Sequence, residues 1–64
     1  MHKSSFYIVV RALQNMAPVA SASVHATSAA VALVKMAGRA GNLQKMAGGH
    51  TATLGAYVYQ IFQA

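Results

Sequence analysis

The chain has no aspartate, no glutamate, no cysteine and no tryptophan among its 64 residues, and it has a single proline. At average composition a chain of this length carries roughly eight acids. Without a carboxylate it cannot supply a general acid/base pair, the orienting acid of a catalytic triad, or a ligand set for Ca²⁺ or Mg²⁺. Without cysteine it can form neither a disulfide nor a thiolate metal site. Histidines at positions 2, 25 and 50 show no local ligand spacing, so no metal is expected. The composition predicts a protein that is not an enzyme and has no small-molecule substrate.

What is present is positive charge: five Lys and Arg give a net charge of +5 with no internal counterion. Each cation must face water, a helix C-terminus or a negative group on another molecule. Anionic lipid, nucleic acid and an acidic protein subunit are the partners that follow. So short a chain buries only about 60% of its unfolded surface, which predicts stabilisation by partners or a membrane rather than by its own core.

Apolar spacing predicts an all-α fold of two or three helices within one small unit. Over residues 5–16, Phe6, Val9, Val10, Leu13 and Met16 recur at intervals of three and four, an amphipathic pattern. The β-branched run FYIVV competes as a strand, but strict alternation is absent. Pro18 separates this element from residues 19–37, an Ala/Ser/Val-rich packing or membrane helix. At about 28 Å it approaches the roughly 30 Å of a bilayer core, so a transmembrane helix is expected. Ala22, Ala26 and Ala30 form a small-residue ridge for helix packing. Over residues 51–63, Leu54, Tyr57, Val58, Ile61 and Phe62 make a second amphipathic stripe, an apolar interface. YVYQIF reads alternatively as an edge strand.

Between the last two elements lies KMAGRAGNLQKMAGGH, a basic glycine-rich hinge over residues 38–50 with its flank. The tetrapeptide KMAG occurs in it twice, at Lys35–Gly38 and Lys45–Gly48. It does not match the nucleotide-binding pattern G-x-x-x-x-G-K-[ST]. Lys35 and Arg39 suit a helix C-terminus, which Gly38 or Gly41 would end. Lys35, Arg39 and Lys45, with Arg11, are the expected contacts to lipid headgroups or other anions. Nucleic acid is the weaker partner, because no aromatic is interleaved with these cations for base stacking. His25 invites a tetrapyrrole, as an axial ligand among small residues, though a hydrogen bond to a neighbour is the simpler role. Met16, Met36 and Met46 read as core filler.

The function expected from these features is that of a small, non-catalytic structural or accessory subunit. It would pack into a larger membrane-associated assembly or a helical polymer of organellar, pilus or coat type. The first forty or so residues resemble mitochondrial transit peptides in composition, being amphipathic, Arg- and Ser-bearing and acid-free. The alternatives are a secreted cationic membrane-active peptide of bacteriocin type, a basic coat protein contacting nucleic acid, and a reading frame without selected function. The location expected is membrane-associated, with an organellar inner membrane, a bacterial membrane and an extracellular filament as the alternatives.

Overall fold

A computed structural model describes residues 3–63; His2 lies outside them. The chain forms strand β1 (Ser4–Ala12), strand β2 (Pro18–Ala26), helix α1 (Ala29–Ala37), strand β3 (Gln44–Met46), strand β4 (Gly49–Leu54) and strand β5 (Tyr57–Gln63). All neighbouring strands are antiparallel in one five-stranded sheet of order β2-β1-β5-β4-β3. The first and last strands of the chain therefore lie side by side at its centre. The chain passes from the β2 edge to the β3 edge through α1, which packs across one face.

This overturns the all-α fold, and with it the helices at 5–16 and 51–63 and most of the one at 19–37. The reason lies in the two central strands. On β1, Phe6, Ile8 and Val10 face α1 while Tyr7 and Val9 stand on the other side, so apolar residues occupy both faces and period-two alternation disappears. The same holds on β5, where Tyr59 and Ile61 face the helix and Val58 and Phe62 do not. In such runs, residues three and four apart match a helical stripe by coincidence. On β2, the alternation Ala20-Ser21-Ala22-Ser23-Val24-His25-Ala26 is complete, and packing overrides the helical propensity of alanine. Pro18 opens this edge strand, a position where its missing N–H is tolerated.

The transmembrane helix is likewise overturned. α1 keeps only nine residues of the expected span, about 14 Å in length, and no helix among the described residues is long and apolar enough to cross a bilayer. It starts where the Ser28 hydroxyl accepts a hydrogen bond from the Val31 N–H at 3.2 Å. It ends where Gly38, at φ 81°, donates its N–H to the Val34 carbonyl.

The two KMAG copies end alike in different surroundings. Gly38 closes the helix, and Gly48, at φ 83°, is the second central residue of the β3–β4 hairpin, a position that type II turns give to glycine. Gly55, at φ 61°, is the first residue of the two-residue β4–β5 turn, as type II′ hairpins require.

The chain has a core of its own. Phe6, Ile8, Val10, Ala26, Ala52 and Ile61 from the sheet meet Ala32 and Leu33 from α1, with Ala29, Met36, Leu43, Leu54 and Tyr59 packed around them. Ile8, Leu33 and Ile61 are its largest fully buried side chains. Burial of each contributes roughly 1.5–3 kcal/mol.

Candidate functional site

Among the described residues α1 covers one face only, and the other face of the sheet is open apart from the buried Val58. Residues paired across strands share a face, so the register lays out its surface. One row runs Ser23, Tyr7, Phe62, Gly49, Met46 across all five strands. The next runs Ser21, Val9, Gln60, Thr51, Gln44. Beyond the second row lie Arg11, Val58 and Thr53, and beyond the first lie Ser5 and His25.

The first row brings Tyr7 and Phe62 together from positions 55 apart in the chain, directly opposite one another on the two central strands. Their outer neighbours in the row are Ser23 and Gly49, which are too small to cover the rings. Tyr7 is 45% exposed and Phe62 half-buried. The remaining positions are mostly hydroxyls and amides. No carboxylate stands on this face or elsewhere in the sequence.

Arg11 closes one end. Its Nε donates to Gln60 Oε1 at 2.8 Å and one terminal nitrogen donates to the Met16 carbonyl at 3.0 Å. A guanidinium has five N–H groups, so three remain for another acceptor. At the opposite end the His25 ring Nδ1 lies 3.4 Å from the Ser5 hydroxyl. Lys35, projecting from α1, donates from Nζ to the His25 carbonyl at 2.7 Å, which places its ammonium at the β2 edge of this corner.

In comparisons with known proteins, no family model, no curated protein and no solved structure matches the chain.

The expected site residues are distributed as follows. Of the four cations, Arg11 stands on the open face and Lys35 at its β2 edge. Arg39 lies in the loop after α1, with its guanidinium beside Gly55. Lys45 is exposed on β3 and borders a 430 Å³ cleft with Thr27, Ser28 and His50. The alanine ridge is divided: Ala22 and Ala26 belong to β2, where Ala26 is fully buried, and Ala30 is exposed on α1. The apolar stripe is split between faces, with Leu54, Tyr57 and Ile61 on the helix side and Val58 and Phe62 on the open side. His25 sits exposed on an edge strand, not within a helix. Met36 packs against the core, Met46 is half-buried in the first row, and Met16 is exposed in the β1–β2 turn.

Tyr7 and Gln60 were not singled out by spacing, and Val9 was grouped by it only with a helical stripe. Strand alternation through Ser5, Tyr7, Val9 and Arg11 is the signal that groups three of the surface residues with Arg11. The pairing of Tyr7 with Phe62 depends on the antiparallel register of β1 and β5 and has no local signature.

Proposed function

We propose that this protein is a non-catalytic binding subunit that engages a polyanionic partner through the open face of its sheet. The observation that carries the proposal is a sheet face left uncovered by α1, bearing an aromatic pair and an arginine in a sequence with no aspartate or glutamate. Unopposed positive charge steers an anion toward the protein, and the polar rows supply hydrogen-bonding groups where it lands. The subunit role expected from composition is kept in this proposal; the helical means of packing is not.

Binding to immobilised heparin, followed as a function of salt, tests the proposal. Retention that falls steeply as salt rises, and that weakens when Arg11 is replaced by Gln, supports it. Passage through the column at low salt removes it.

A second observation favours assembly of copies as an added property. β2 is a nine-residue edge strand with no Lys or Arg in it, and long edges of this kind are templates for pairing. Native mass over a concentration series checks this.

A further inference from the structure

Resting on the polyanion reading above, we infer that the partner is single-stranded nucleic acid, with two of its bases stacked on Tyr7 and Phe62. Any base has a π-face, so an exposed aromatic offers an adhesive surface that does not depend on sequence. The Tyr7 and Phe62 positions lie on adjacent central strands, and the neighbours at both ends of the pair, Ser23 and Gly49, leave space for flat groups larger than the rings.

The chemistry of the face separates nucleic acid from other polyanions. A nucleic acid presents a flat π-face at every residue, which a sulfated polysaccharide or an acidic peptide does not. A lipid surface calls for a continuous apolar face, whereas here Ser21, Ser23, Gln44, Gln60, Thr51 and Thr53 surround the few apolar side chains. A duplex keeps its bases stacked on one another and out of reach, so only an unpaired strand can use the aromatic pair.

Charge stands at the two ends of the same track. Arg11, with three free N–H groups, and the corner formed by His25 and Lys35 are separated by about six residues of strand, roughly 20 Å. A strand laid along β1 and β5 meets the Arg11 guanidinium at one end, and beside its other end the Lys35 ammonium stands at the β2 edge, with the two aromatics between them. The salt dependence expected of a few phosphate contacts is a slope of about −0.7 per phosphate neutralised.

The test is fluorescence anisotropy of the full chain with a labelled oligothymidylate of about 12 nucleotides, set beside the matching duplex, heparin and phosphatidylserine vesicles. The single strand is expected to bind at least about tenfold more tightly than the duplex. Tyr7→Leu and Phe62→Leu are each expected to weaken single-strand binding about tenfold and to leave heparin binding unchanged, while Tyr7→Phe retains it. Thermal melting confirms that each variant is folded. If a Leu variant does not fold, photo-crosslinking of the unaltered protein to a bromodeoxyuridine oligonucleotide replaces it, with adducts expected on Tyr7 or Phe62. Equal binding of heparin and single strand, with no effect of the aromatic substitutions and no adduct at either residue, overturns the inference and leaves the polyanion reading standing. Binding confined to vesicles also overturns it. Absence of binding to any of the four probes removes both.

Discussion

The Lys35 ammonium donates to the backbone carbonyl of His25 across 2.7 Å, tying the last turn of α1 to the edge strand β2. An oxygen that takes up a lysine is withheld from a strand arriving from outside. Lys35 therefore guards one end of the edge that the sheet leaves open. Replacing Lys35 with Gln is expected to cost about 1 kcal/mol or less, since the bond is exposed to water. The larger change is expected in self-association, with sedimentation velocity showing more dimer or higher species at matched concentration. An unchanged distribution would reduce the contact to a local tether.

Two adjacent glycines should respond differently to alanine. A Cβ on Gly49 would run into the backbone carbonyl of Ile61, which neither strand can yield without parting β4 from β5. A loss above about 3 kcal/mol is expected, enough to unfold so small a domain. Gly48 has open space around its Cβ position, so Gly48→Ala is opposed only by its positive φ, at about 1 kcal/mol. Urea denaturation of the two variants measures the difference.

Leu33 is the one large helical side chain that is fully buried, and Ile8 faces it from the central strand. Leu33→Ala is expected to cost about 2–5 kcal/mol and to release α1 from the sheet, whereas Ile8→Val should cost about 0.5–1.5 kcal/mol and remain folded. Far-UV circular dichroism during thermal unfolding distinguishes the outcomes. An unaffected Leu33→Ala would mean that the helix does not anchor the fold.

Met16 holds φ 60° in the β1–β2 turn, a conformation that costs an ordinary residue about 1–2 kcal/mol. Its side chain is exposed, so glycine removes the strain without opening a cavity. Met16→Gly is expected to raise stability by about 0.5–1 kcal/mol, read as a higher urea midpoint with an unchanged slope.

These particular residues also show where the sequence was readable. The end of α1 was legible, because a lysine in the last turn followed by Gly38 is local helix chemistry. Its start was hidden inside a longer Ala/Ser/Val run, since the alternation of β2 uses Ala against Ser, a contrast too small to register as apolar against polar. The central strands misled for a physical reason: with Phe6, Ile8 and Val10 under the helix and Tyr7 and Val9 on the open face, neither periodicity is clean. The turn signal Gly55-Ala56 between Leu54 and Tyr57 was present as a two-residue hairpin, but a glycine within an apparent helical stripe conceals it. Of the candidate surface, Arg11 and Phe62 were marked by type and spacing. Tyr7 was not, because its importance arises only when β5 returns to lie beside β1.

The most direct test of the open face as the working surface is amide chemical-shift mapping of the labelled protein during titration with the oligothymidylate. The expected result is a set of shifts at Tyr7, Val9, Arg11, Ser23, Gln60 and Phe62, with His25 and Lys35 moving at the far end and the rest of α1 unmoved. Shifts gathered instead at Thr27, Ser28, Lys45 and His50, or spread evenly over all the cations, would contradict it.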